Sequence, residues 1–265
     1  MLYQSAPGIV AFSTERNTPY PQLPYAGFNI TPYTGDVYDH VLACRQVLIG
    51  ELQIPDSQLV VPHQVHGTVC RVVTPCLIDE LKDNVMPPSL ENVDAVVTDL
   101  PNVCVGVSTA DCLPILYYDT RTGAVGAVHA GWRGTVARIA AIALSQLRDS
   151  FGTRPDDVRC IIGPSIGPDA FEVGDEVYQA FLQAGFPMSQ IACRKPSLDT
   201  MTAEYRWYID LWTANSLQLQ QMGVPRQNIY VAGICTFAEP SRFFSARRLG
   251  VKSGRIFSGI LRRET

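Results

Sequence analysis

Three short polar segments interrupt otherwise apolar stretches of the chain. They are Gln64-Val65-His66-Gly67, Ser108-Thr109-Ala110-Asp111-Cys112-Leu113-Pro114 and Val128-His129-Ala130-Gly131-Trp132-Arg133-Gly134. Between them His66, Cys112 and His129 offer two imidazoles and a thiol, donors suited to zinc or copper. A catalytic zinc takes three protein ligands and keeps a fourth position open. Cys112 follows His66 by 46 positions and His129 follows Cys112 by 17. Such spacing carries no local metal signature, so hydrogen-bonded histidines and an inert buried cysteine stay open. His63 and His66 form H-x-x-H, but residues three apart on a strand face opposite sides. Gly67 permits close backbone approach beside His66, which favours His66 alone.

The neighbours of these donors have chemistry of their own. Pro114 biases Leu113 to an extended conformation, placing Cys112 at an irregular turn where a thiolate would be presented. Asp111, a carboxylate in apolar surroundings, needs a partner and is either a network member or an acid/base. Gly131 to Gly134 open an expected helix after a strand, a turn whose amides suit an anion. Arg133 would add a guanidinium there, or form a surface ion pair.

Apolar, β-branched runs predict the strands that must carry these segments, at 58–61, 68–73, 94–98, 103–108, 115–119, 124–129, 158–163, 229–233 and 254–261. Thr120–Gly123 between two of them is a hairpin signal. Helical spacing predicts helices over 36–49, 135–147, 174–184 and 209–222. Gly152, Gly185 and Gly223 follow three of these as terminating glycines. Loops are expected at Thr18–Pro24 and Asn84–Ser89. Strands often follow one another directly, so the expected class is α+β, with mixed sheets and flanking helices in a single layered domain over 1–265.

The 265 residues are 46% hydrophobic and 17% charged, with net charge −4. That supports a sizeable core and lacks the basic footprint of a nucleic-acid binder. No run of about 18 apolar residues suggests a membrane span. The eight cysteines include no C-x-x-C pair, and most sit in apolar runs. With no secretory signal visible, reduced cysteines and a cytoplasmic location are expected. Monomer and homodimer are both compatible with the sequence.

The same segments resemble the YfiH-like, laccase-domain family, whose members are called polyphenol oxidases and purine nucleoside phosphorylases. The matching text is GFNI with GD (27–30, 35–36), QVHG (64–67), TADCLP (109–114) and HAGWRGT (129–135). It continues through GPSIGP with FEVG (163–168, 171–174), IDLWTAN (209–215), ICTF (234–237), FFSARR (243–248) and GR (254–255). The resemblance covers nearly the whole chain in order. It implies a zinc or copper on His66, Cys112 and His129, and a fold like that of a bacterial toxin with a Cys–His catalytic pair. Ala246, where the family usually has an aromatic residue, and Ala95, where glycine is common, depart from the pattern without removing a ligand.

The resemblance further implies phosphorolysis of adenosine, inosine and methylthioadenosine, with adenosine deamination. Purine nucleoside and phosphate are then the partners. Zinc would acidify its water for attack at C6 of adenine. Asp111 or Glu172 would carry protons, and Arg133 would clamp phosphate ahead of Arg247 and Arg248. A multicopper laccase mechanism needs many imidazoles, and the four histidines here cannot supply them. The alternative enzyme is an amidase editing cytoplasmic peptidoglycan precursors (UDP-MurNAc-amino acids), with Cys112 as nucleophile and His129 as its base.

Overall fold

Strands in a layered protein bury one face or two, and here the inner ones bury both. The computed structural model describes residues 1–83, 86–198 and 204–264. Its strands are β1 (Ile9–Ser13), β2 (Leu59–Val60), β3 (Cys70–Val72), β4 (Ala95–Thr98), β5 (Cys104–Thr109), β6 (Leu113–Asp119) and β7 (Val125–Ala130). They continue with β8 (Val158–Ile162), β9 (Glu172–Val173), β10 (Ala192–Pro196), β11 (Tyr205–Ile209), β12 (Ile229–Val231) and β13 (Ile256–Arg262). The helices are α1 (Tyr38–Leu52), α2 (Pro75–Asp83), α3 (Trp132–Val136), α4 (Ile139–Phe151), α5 (Asp175–Gln183), α6 (Met188–Ile191), α7 (Leu211–Gln221) and α8 (Ala246–Leu249).

Among the described residues these strands form three sheets, ordered β1-β13-β5-β2, β12-β8-β6-β7-β4-β3 and β10-β11-β9. Period-two alternation sorts the six-stranded sheet into two faces. Val97, Ile115, Tyr117 and Val128 pack with Ala143 and Leu144 of α4 and Leu219 of α7. Val96, Leu116, Val125 and Ala127 pack with Val105, Val107 and Ile260 of the four-stranded sheet. The far side of that sheet, including Phe257 and Leu261, is covered by Cys44, Leu48 and Leu52 of α1. The layers therefore run helix, sheet, sheet, helices. Strands covered on both faces read as unbroken apolar runs, which explains why β4 to β8 stand out in the sequence.

All nine expected strands form, as does the hairpin at Thr120–Gly123. Its turn is tied by the Arg121 amide donating to Asp119 Oδ1 at 2.7 Å, with Gly123 at φ 75°. The expected helix over 135–147 is instead broken: Arg138 sits at φ 66° between α3 and α4. Its guanidinium donates to the Ala184 carbonyl and lies over Phe186, a long-range contact that periodicity cannot show. The helix expected from 209 begins at Leu211, because Ile209 ends β11 and the Asp210 carboxylate caps the Thr213 amide at 2.9 Å. The strands β1, β9, β10 and β11 were not expected. The outer two of the last sheet, β9 and β10, are short or largely polar. Part of the loop expected at Asn84–Ser89, residues 84–85, lies outside the described residues, and 88–90 form a 3-10 turn.

Close packing between β5 and β13 gives a direct test. A Cβ on Gly106 would meet Phe257 Cζ at 2.2 Å and the Ser258 carbonyl oxygen at 2.7 Å. Gly106→Ala should lower stability by about 1–3 kcal/mol by overpacking, read from chemical denaturation. A midpoint equal to wild type would contradict this packing.

Candidate metal centre

The centre forms where three strand ends of the six-stranded sheet meet. The register Ala95↔Val128 and Leu113↔Ala130 brings the start of β4, the end of β7 and the start of β6 to one edge. His129 is the penultimate residue of β7. Cys112 lies in the bend before β6, where Asp111 takes φ 84°. His66 comes from the segment between β2 and β3, at φ 63°. Its bend is why His63 and His66 do not act alike. His63 turns away to Glu91, 2.7 Å from Nδ1, and packs against the Tyr33 ring at a tilt of 49°.

The His66 segment is fixed from two sides. Gln64 imitates a strand neighbour: its Nε2 donates to the Ser108 carbonyl at 2.9 Å and its Oε1 accepts from the Ser108 amide at 2.7 Å. Asp94, fully buried, accepts from the amides of Val65, His66 and Gly67 at 3.2, 2.9 and 2.7 Å. Asp94 Oδ1 also lies 2.7 Å from His129 Nδ1. That contact sets the imidazole tautomer and leaves Nε2 for the centre. Burial opposes ionisation of Asp94, but the hydrogen bond and charge of His129, with the amides of Gly67 and Val65, hold its carboxyl below the usual range.

The ligand atoms of His66, Cys112 and His129 lie within 4.8 Å of one another, with Cys112 Sγ 3.6 Å from His66 Nε2. Among the described residues it is the only such group of three or more. His129 is buried, Cys112 half-buried and His66 exposed, so the cluster is backed by protein on one side and open on the other. A Cβ on Gly131 would stand 2.9 Å from Cys112 Sγ and 3.0 Å from His66 Cδ2, so glycine keeps the space beside the donors clear. Two imidazoles and a thiol, one imidazole backed by a carboxylate, fit zinc or copper.

Without a metal, the charges in this cluster draw the Cys112 thiol and the His129 imidazole toward an ion pair. Burial would raise the Cys112 thiol, but the charge and hydrogen bond of His129, joined by His66, bring it down to about 6. Burial would lower His129, but the Cys112 charge and the Asp94 bond raise it to about 9.

The cluster opens into a cavity of about 590 Å³. Trp132, Ile166 and Phe171 supply apolar wall, and Tyr33, Arg247 and Arg255 supply polar groups. The Asp111 carboxylate lines it too, accepting from Thr236 Oγ1, Ser245 Oγ and the Arg247 amide at 2.7, 3.0 and 2.7 Å. Glu172 lies outside the lining, bonded to Ser197, the Leu198 amide and Tyr208. Arg133 is exposed and stacked over Trp132, and Arg248 is stacked over Phe237; neither lines the cavity. Ala246 does, while Ala95 packs into the helix-facing core. Sequence reasoning passed over Asp94, Gln64 and Arg255. Asp94 had a signal: a carboxylate opening the apolar strand text Ala95–Thr98.

The family model described as "Multi-copper polyphenol oxidoreductase laccase" matches residues 10–263. The chain belongs to this YfiH-like, laccase-domain family. A Bacteroides thetaiotaomicron protein named purine nucleoside phosphorylase is 44% identical, covering 89% of this chain and 85% of its own. Adenosine deaminase RL5, from an unknown prokaryotic organism, is 42% identical over 98% and 96% of the two chains. The Geobacillus stearothermophilus YlmD crystal structure superposes with TM-score 0.84 at 33% identity, covering 97% of this chain and 93% of that one. The Bacillus licheniformis YfiH structure gives 0.85 at 27% identity, covering 99% of each. The layered α+β architecture is thus that of the YfiH-like proteins.

Two measurements follow from this geometry. Asp94→Asn should weaken zinc affinity about 10- to 100-fold, measured by competition with a chromophoric chelator; wild-type affinity would remove Asp94 from the site. In chelator-treated protein, iodoacetamide labelling of Cys112 should persist at pH 7 and fall as pH drops through about 6. Cys70, pushed up to about 12 by burial, should lag it in site-resolved mass spectrometry. A Cys112 rate that rises only above pH 8 would disprove the ion pair.

Proposed function

We propose that this protein is a metal-dependent purine nucleoside phosphorylase acting on adenosine, inosine and methylthioadenosine, with adenosine deaminase activity. One observation carries the reading: a His66–Cys112–His129 donor set opens directly into a cavity sized for a small molecule. The relatives named purine nucleoside phosphorylase and adenosine deaminase support the substrate class. Zinc is the proposed metal, and the same donors also suit copper. A metal there supplies Lewis acidity and a means of making water nucleophilic near neutral pH.

The chain's own residues do the rest. Asp94 orients His129 and pins the His66 segment. Trp132, Ile166 and Phe171 give a purine ring apolar surface to lie against. Asp111 is the one carboxylate of the cavity lining among the described residues and is assigned the proton transfer, in preference to Glu172. In phosphorolysis a phosphate oxygen bonds C1′ as the C1′–N9 bond breaks; the electron pair leaves with the base, which gains a proton. In deamination water adds at C6 and ammonia departs, giving inosine. The name of the matching family model does not extend to a multicopper mechanism here. Of the four histidines two serve the cluster, while His40 and His63 pair with Asp36 and Glu91.

Asp94 also favours a second reading. Cys112, His129 and Asp94 are arranged as nucleophile, base and orienting carboxylate. Amide hydrolysis of a muramyl-amino acid would use this triad with the thiol free of metal.

The readings separate in one assay. Metal-quantified protein and Cys112→Ala are incubated with adenosine, with and without phosphate, and products resolved by chromatography. Phosphate-dependent adenine and ribose 1-phosphate, reduced more than about 100-fold in the variant, is the expected result; inosine formed without phosphate reports deamination. Neither product from protein holding about one zinc per chain would refute the purine reading. Hydrolysis of muramyl-amino acids by the metal-free protein would then establish the second.

A further inference from the structure

The cavity lining carries two arginines, Arg247 and Arg255, and among the described residues one carboxylate, Asp111. Neither guanidinium forms an ion pair among the described residues. Arg255 is held by neutral carbonyls: Nη1 donates to Ser253 and Gly254 at 2.6 and 3.1 Å, and Nη2 to Val251 at 2.9 Å. Arg247 Nη2 donates to the backbone carbonyl of Glu172 at 3.0 Å, not to its carboxylate. The Asp111 carboxylate meanwhile accepts from two hydroxyls and the Arg247 amide. Its bond to that amide anchors α8 and with it the Arg247 side chain.

A half-buried guanidinium without a counter-ion is costly. Burial lowers the Arg255 pKa, partly offset by Tyr33, Cys112 and other acidic groups nearby. Carbonyl bonds fix its position without neutralising its charge. Thr109, 1% exposed and also in the lining, has a buried hydroxyl with no partner among the described residues. Half-buried Arg255 and exposed Arg247, the latter over Phe171 at 5.8 Å, together with the Thr109 hydroxyl, offer donors of the kind a tetrahedral oxyanion accepts through charge-assisted hydrogen bonds.

We propose that Arg247 and Arg255 form the subsite for a phosphate dianion, filled by inorganic phosphate as co-substrate. The choice of co-substrate rests on the phosphorylase reading above; the anion site itself does not. It takes the role the sequence gave Arg133, which does not line the cavity. A phosphoryl group on a nucleoside 5′-monophosphate shares this chemistry, and the test separates the two sources.

Zinc-loaded wild type, Arg255→Gln, Arg247→Gln, Arg255→Lys and Arg133→Gln are titrated calorimetrically with inorganic phosphate and, separately, with adenosine 5′-monophosphate. Melting temperatures check folding, and Arg255→Lys stands in if the glutamine variant fails to fold. Wild type should bind phosphate. Affinity should fall about ten- to a hundredfold in Arg255→Gln and Arg247→Gln, and less in Arg255→Lys. Where phosphorolysis is present, the KM for phosphate should rise to a similar extent and that for nucleoside much less. The subsite is overturned if wild type binds no phosphate, if the glutamine variants bind it normally, if Arg133→Gln carries the loss, or if only the monophosphate binds. Normal binding by these variants in a working phosphorylase would sink the subsite and leave the reading standing. Arginine-dependent phosphate binding without phosphorolysis would do the reverse.

Discussion

One buried carboxylate holds the candidate centre together. Asp94 meets three consecutive amides of the His66 segment and the Nδ1 of His129 with two oxygens. The amides fix where His66 stands, and the imidazole contact fixes which nitrogen of His129 is offered. A neutral side chain of equal size could accept some of these bonds but could not balance a protonated or metal-bound imidazole. Burying a carboxylate is tolerable because every neighbour donates to it. Cys112 needs no such partner, since the bend before β6 already turns it toward both histidines.

The same contact explains how one set of atoms admits two chemistries. With a metal, Asp94 is the outer carboxylate of a ligating histidine. Without it, Asp94 orients a base beside a thiolate. What decides between them is whether His66 joins as a third donor. Its place within 4.8 Å of the other two favours the metal.

Much of the architecture was legible because β4 to β8 are covered on both faces and therefore read as apolar runs. The cluster of His66, Cys112 and His129 was legible as a set of candidate donors for the related reason that His129 and Cys112 interrupt those runs. What escaped depended on distant partners. The break at Arg138 follows from its contacts with Ala184 and Phe186. The strand β11 takes a sheet partner on each side, neither predictable from alternation. The sequence singles out Arg133 ahead of Arg247 and Arg248 and gives Arg255 no distinction. Side-chain placement could not be read there: Arg133 lies over Trp132, and Arg255 lines the cavity from the far end of the chain.

The positions of the donors also impose an order of events. Cys112 and His129 flank one hairpin, β6–β7, and meet through local pairing. His66 arrives through the non-local contact of its segment with Asp94 and through Gln64 pairing with β5. A partly folded chain can offer two donors early, too few for a three-coordinate catalytic site. A metal held by all three donors would therefore bind only after the sheets close, unlike in the small zinc domains where the ion directs folding. On that reasoning the apoprotein would fold first, and an occupied centre would mark a finished fold.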